Sequence, residues 1–272
     1  MKRATLFTAI IVFGCFHSLT AEVPSDAADS ILIRLAENGP EGVVDYIQGF
    51  QPRERLQLYG LAREVLVFRQ WEGKNLDDIV EVSDSGILEA MTQANTASDP
   101  DTIRALLDVA NVMSYNLSAD LAECWPGDTL IRTRDHFQRG LSAALQCVEW
   151  RRELEKGDYP LFMAYWAAGM HQMSLDRPEE AVYNLVKSLN HAQQITIDEG
   201  RSLGLHPGAG FELILAHGYL GLAMEMCGME DDQYERAIEA FSEGALEYPE
   251  LAGDYDFGIQ QLRWARDNLL DR

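Results

Sequence analysis

The sequence predicts an all-α fold: stacked antiparallel helical hairpins behind an N-terminal helical segment, closed by a C-terminal capping helix. Three observations carry that expectation. Apolar residues recur at steps of three and four along nearly the whole chain, which is the spacing of one helix face. No stretch alternates apolar and polar residues at a period of two, so no sheet is expected. In the second half, the same small and large residues return in one register, as closely crossing helices require.

Composition limits the function before any motif is read. The 272 residues are 47% hydrophobic and 24% charged, enough apolar material for one large core or two small ones. Acidic residues number 44 against 22 basic, a formal net charge of −22, so nucleic acid and anionic membrane surfaces are unexpected partners. Only Lys2, Lys74, Lys156 and Lys187 are lysines, so a lysine-rich patch is excluded.

The elements follow in chain order. Lys2 and Arg3 precede an apolar run from Ala4 to Phe16, and His17-Ser18-Leu19-Thr20-Ala21 leads into Glu22. A basic head, a short hydrophobic stretch and a small exit residue describe an export signal peptide over residues 1–21. That run is shorter than the roughly 20 apolar residues a membrane span needs, and no later run reaches that length. The mature chain is therefore expected to be periplasmic or secreted, with no transmembrane span. Val12-Phe13-Gly14-Cys15 resembles a bacterial lipoprotein box that would anchor the chain at Cys15, although Phe13 stands where that box wants Ala or Ser.

Residues 22–98 form the N-terminal helical segment. Helices are expected over 26–37, 40–49 and 52–71, carrying Ile31, Leu32 and Leu35, then Val43, Val44 and Ile47, then Leu58, Leu61, Val65 and Phe68. Pro40 and Pro52 stand near helix starts, where the missing N–H costs nothing. The pattern breaks at Gly73 and again at Ser83-Asp84-Ser85-Gly86, and resumes from Ile87 to Ala94. Asp99-Pro100-Asp101 then opens a helix that carries Ile103, Leu106, Ala110, Met113, Leu117 and Leu121.

From residue 99 onward the helices repeat one another. Phe137, Gly140, Ala144 and Cys147 share a register with Ala181, Leu185 and Ser188, and with Tyr234, Ala237, Phe241 and Gly244. Preceding helices carry Ala168-Gly169 and Leu220-Gly221 at their own crossing points, and Pro249 follows the last unit. Leu220-Gly221, Gly228, Tyr234, Ala237, Phe241, Gly244 and Pro249 resemble the tetratricopeptide repeat, a helix–turn–helix unit of 34 residues. Ala168-Gly169, Asp176 and Glu179-Glu180-Ala181 are similar to a second copy, and Phe137–Cys147 to the second helix of a third. The spacings are irregular, with extra residues expected around Glu230–Gln233 and in a loop near Ile195–Gly210. Tyr255–Leu270 reads as a terminal cap, since an end repeat has no neighbour to cover it.

The resemblance implies that the first helix of each unit lines a concave groove. Around Gly169 these positions are Met163, Trp166, Met170 and Met173; around Gly221 they are Leu215, Gly218, Leu222, Glu225 and Met226. None is Lys, Arg or Asn, so the basic clamp by which some relatives hold a C-terminal carboxylate is missing. A Met-rich apolar groove suits an amphipathic helix or an apolar ligand. The N-terminal helices could equally fill it and make those residues core. Cys124-Trp125-Pro126-Gly127-Asp128 breaks two helices and leaves a Trp in the connection. It reads either as a Trp folded back over a hairpin or as a pocket rim built from Trp125, Asp128 and His136 with Asp120.

Signs of chemistry are few. No Gly-x-Ser-x-Gly elbow, His-Glu-x-x-His, phosphate loop or three-glycine dinucleotide fingerprint occurs, and no Glu-Ser dipeptide of the kind lytic transglycosylases use. The six histidines are scattered; His171 and His217 read as satisfied core residues rather than metal ligands, so neither metal nor cofactor is expected. Cys124, Cys147 and Cys227 form no Cys-x-x-Cys motif and allow at most one bridge, with Cys147 and Cys227 read as small buried residues. Asn116-Leu117-Ser118 matches a glycosylation sequon inside an expected helix. The expected function is an exported, non-catalytic scaffold or adaptor holding a protein, peptide or small apolar ligand. The alternatives are a periplasmic ligand-binding accessory of a transporter and a hydrolase with dispersed carboxylates.

Overall fold

A computed structural model describes residues 23–270, and those residues form ten α-helices and two short 3-10 turns with no strand. The expected signal peptide and the lipoprotein-like Cys15 lie outside the described residues. Contacts divide the chain into two compact units. One holds residues 23–120 with Leu130–Arg132; the other holds Leu121–Thr129 and 133–270.

The first unit is built from α1 (Ala27–Gln48), α2 (Pro52–Phe68), α3 (Leu76–Thr96) and α4 (Pro100–Leu121). The start of α1 and the start of α2 follow the sequence closely. Gly39, at φ 67° and ψ −164°, breaks α1 into two helices just before Pro40. Pro52 occupies the first turn of α2, where the Gln51 N–H donates to Glu54 Oε2 at 3.0 Å in a capping box. α4 opens where expected, with Asp99 Oδ2 accepting from the Thr102 N–H at 2.8 Å and its hydroxyl at 2.6 Å. Those two bonds hold the Asp99 carboxyl below its ordinary pKa.

Two expectations change in this unit. α3 runs unbroken through Ser83–Gly86, because Ser83 and Gly86, nearly one turn apart, lie on the buried side of a tightly packed helix rather than in a loop. A Cβ placed on Gly86 would meet Tyr59 of α2 at 3.0 Å and Met113 Sδ of α4 at 3.2 Å. α4, expected at the head of the repeat region, instead belongs with α1–α3. Arg63 of α2 grips Asp120 of α4 in a two-toothed ion pair, Nε to Oδ2 at 2.8 Å and Nη2 to Oδ1 at 2.6 Å. A second buried ion pair joins Arg55 to Glu89 at 2.9 Å, and Gln48 and Gln93 donate to the same carboxylate.

The second unit contains α5 (Arg134–Glu153), α6 (Asp158–Ser174), α7 (Pro178–Asp198), α8 (Phe211–Met226), α9 (Gln233–Glu247) and α10 (Ala252–Leu270). Each helix packs on the next, and α8 also touches α6 on one side and α10 on the other. This is a run of stacked hairpins with α6, α8 and α10 side by side. The recurrent small residues sit at the crossings. Gly140 faces His171, Gly169 faces Leu185, Gly221 faces the backbone at Tyr234, and Gly244 faces Tyr255. Ala181 and Ala237 are fully buried, and the Ser188 hydroxyl donates to Phe162 O at 2.9 Å. α10 covers the last hairpin, its Leu262 against Gly218 and its Gly258 against Phe241.

One local device closes four successive helices. After α5, α6, α7 and α8 a residue with positive φ (Glu155, Asp176, Gly200 and Gly228) turns the chain. The next N–H reaches back to the carbonyl five residues earlier: Lys156 to Arg151, Arg177 to Gln172, Arg201 to Thr196 and Met229 to Met224. This is the Schellman motif, which satisfies carbonyls a helix end leaves open. The insertion expected over Ile195–Gly210 is divided: α7 itself runs on to Asp198, and a loop with a 3-10 turn at Pro207–Ala209 completes it. Tyr255 pins that turn by donating to Pro207 O at 2.9 Å.

Candidate functional site

The face shared by α6, α8 and α10 holds a segment of the chain itself. Trp125-Pro126-Gly127-Asp128 makes a tight turn in which the Asp128 N–H donates to Trp125 O at 3.1 Å and Gly127 takes φ 79°. Pro at the second position and Gly at the third are what a type II turn demands. The turn points the Trp125 ring onto the helices. Its ring stands edge-on to Trp166 of α6 at 6.1 Å and stacks on Phe257 of α10 at 6.5 Å. Trp166 in turn meets Tyr219 of α8 edge-on at 5.7 Å.

Polar contacts tie the same segment down. Gln261 of α10 donates to Cys124 Sγ at 3.6 Å, and Ser174 at the end of α6 donates to Glu123 Oε2 at 3.1 Å. Cys124 has no exposed surface, and none of the three described thiols is in a disulfide. Cys147 is buried, but Cys227 ends α8 half-buried and is less enclosed than its apolar surroundings in sequence suggest. The Trp166 indole N–H and the Tyr219 hydroxyl are buried side by side, with the Cys124 thiol next to the phenol. Burial, with the Cys124 thiol beside it, pushes the Tyr219 phenol well above its ordinary value.

The expected groove residues therefore have mixed fates. Met163, Trp166, Met170, Met173 and Leu222 are at most 5% exposed and belong to the packed interior. Within this unit Trp166 is covered by Trp125 and Tyr219, not left open. Met226 is half-buried, as is Glu225, which takes a two-toothed pair from Arg266 of α10 at 2.6 and 3.1 Å. Arg266 also lies over the Tyr234 ring at 4.9 Å, yet burial still pushes that phenol up to about 12. Of the three rim candidates, Trp125 lies against Trp166, whereas Asp128 closes the turn. His136 is 7% exposed and starts α5, its Nδ1 accepting from the Thr133 N–H at 3.0 Å.

Tyr219, Phe257 and Gln261 went unread in the sequence. Tyr219 completes a spacing of four and three with Leu215 and Leu222, so the period alone places it on that face. Phe257 and Gln261 are one turn apart on a helix read only as a cap.

The first unit carries a small recess of about 20 Å³, lined by Tyr59, Arg63, Ser83, Gly86, Met113 and Asn116 among others. Arg63 Nη1 and Ser83 Oγ are buried beside it without a partner, and the sequon residue Asn116 is 6% exposed. A space of that size holds about one water, which Arg63 Nη1 and Ser83 Oγ could bind. Among the described residues no group of three His, Cys, Asp or Glu side chains could hold a metal ion. Nor is any described helix long and apolar enough to cross a membrane. The chain matches no protein-family model and no curated protein.

Proposed function

We propose that the chain is an exported, non-catalytic scaffold of the tetratricopeptide-like kind, whose hairpin array holds a polypeptide partner on the face of α6, α8 and α10. One observation carries this reading: that face already holds a turn of the chain itself, Glu123–Asp128, through an aromatic anchor and side-chain hydrogen bonds. A preformed helical surface binds in this way because little of it must be ordered on association. The reading places the mature protein in the periplasm or outside the cell. Selection of displayed random peptides on the purified protein tests it. Enriched sequences are expected to carry aromatic residues, and their binding should slow amide exchange in α6, α8 and α10. Failure to enrich any peptide, or protection confined to other helices, overturns the reading.

A further inference from the structure

We infer that Met224, Cys227 and Met229, at the turn that ends α8, form a binding site for a soft monovalent cation, copper(I). The site uses none of the residues that hold the Glu123–Asp128 turn and is independent of the scaffold reading.

Four of the chain's thirteen sulfur side chains, nine Met and four Cys, fall within the six residues Met224–Met229. Burial accounts for Met113, Met163, Met170 and Met173, which fill the core. It does not account for this group: Met224, Met226 and Cys227 are half-buried, and Met229 is 50% exposed. Met224 and Cys227 stand three residues apart across the last turn of α8 and its cap, and so share a face. Gly228, at φ 71°, then reverses the chain, and the Met229 N–H donates back to Met224 O at 3.0 Å. A Schellman turn of this kind lays the residue after the glycine against the one five positions earlier. Sulfur from Met224, Cys227 and Met229 is thereby gathered at one helix end, whereas Met226 points away round the helix. Met224 Sδ accepts a long contact from Gln233 Nε2 at 3.5 Å, and that amide also donates to Asp231 Oδ2 at 3.1 Å, so the thioether is not committed.

The donors are a thiol and two thioethers, outside the nitrogen and oxygen sets that hold harder ions. Thiolate and thioether sulfur favour copper(I), and unbranched methionines adapt their torsions to the ion. The surroundings are negative: Glu179 bears on the Cys227 thiol, and Glu230, Asp231 and Asp232 follow Met229. Such a field raises the local concentration of cations. Burial and Glu179 push the thiol up, so it meets the ion protonated. The S–Cu bond forms as that proton leaves to solvent, with no change of oxidation state.

The test titrates the full chain with copper(I) under anaerobic conditions against the chelator bicinchoninate. The wild type is expected to hold one copper(I) per chain and to prefer it to zinc(II). Cys227→Ser should abolish this binding although Cys124 and Cys147 remain. Met224→Leu with Met229→Leu, a volume-conserving pair, should weaken it at least about tenfold, the low end of what even an orienting partner of a ligand contributes. No copper(I) held by the wild type, equal preference for zinc(II), or undiminished binding in Cys227→Ser overturns the inference. So does full affinity in the Met pair, which would reduce the site to a single thiol. Should a variant not fold, X-ray absorption of the wild-type complex decides: a shell of three sulfurs supports the site, and fewer sulfurs, or nitrogen or oxygen neighbours, overturn it.

Discussion

At Glu155 and Asp176, which end α5 and α6, the chain adopts positive φ with a side chain attached, at 53° and 61°, where the equivalent turns after α7 and α8 use Gly200 and Gly228. A Cβ in that region crowds the following carbonyl. Glu155→Gly is expected to stabilise the protein by about 0.5–1 kcal/mol, the local relief outweighing the added freedom of the unfolded chain. A denaturant melt reads this directly. The converse holds at Gly169, where a Cβ would stand 2.5 Å from Leu185 Cγ. Gly169→Ala should cost roughly 1–3 kcal/mol by overpacking, more than Gly157→Ala, which has open space around it and gives up only an N-cap preference of about 0.5–1 kcal/mol. Trp166, only 2% exposed, belongs to the same scale. Trp166→Ala is expected to destabilise by about 3–5 kcal/mol, so it cannot serve as a clean binding variant.

Among the helices, those framed by local signals are legible and those framed by distant contacts are not. The Gly39-Pro40 break, the Pro52 start and the Asp99 cap are written in two to four adjacent residues and appear where the sequence places them. Ser83–Gly86 misleads because small polar residues serve turns and close crossings alike; only the neighbours Tyr59 and Met113, far along the chain, decide which. α4 is tied to the first unit by contacts such as Arg63 with Asp120, 57 positions apart, a separation no periodicity reports. The site divides in the same way. Trp125 and Trp166 stand out by type and setting, whereas Phe257 and Gln261 acquire their role from α10 lying against α8. If α10 is part of the site as well as a cover, Phe257→Ala should leave the helical signal nearly intact. It should also speed amide exchange in 122–130, and unchanged exchange there would count against it.

Over the whole chain, titration and charge set how conditions act. Burial lowers the pKa of His217, so the folded state holds it neutral while the unfolded chain protonates it near 6.5. Its contribution is present above 6.5 and is lost as pH falls through the lowered folded value. Melting temperature should therefore drop on acidification below about 6.5, and His217→Gln should flatten part of that slope. The tyrosines act oppositely. Tyr159 and Tyr234 are pushed up to about 12 by burial, and Tyr219 well above its ordinary value. Their contribution is complete below pH 10 and is lost as pH rises toward 12, so alkaline unfolding should be steep over that range. A net charge of −22 adds self-repulsion that moderate salt screens. Melting temperature at neutral pH should rise between low and physiological ionic strength.

The 6.1 Å separation of two indoles also gives the molecule an optical reporter of its own. An indole that leaves a ring-lined niche for water emits at longer wavelength and loses its neighbour as an exchange partner for excitation energy. Departure of the Trp125 turn would therefore announce itself in ultraviolet emission and circular dichroism without any attached dye.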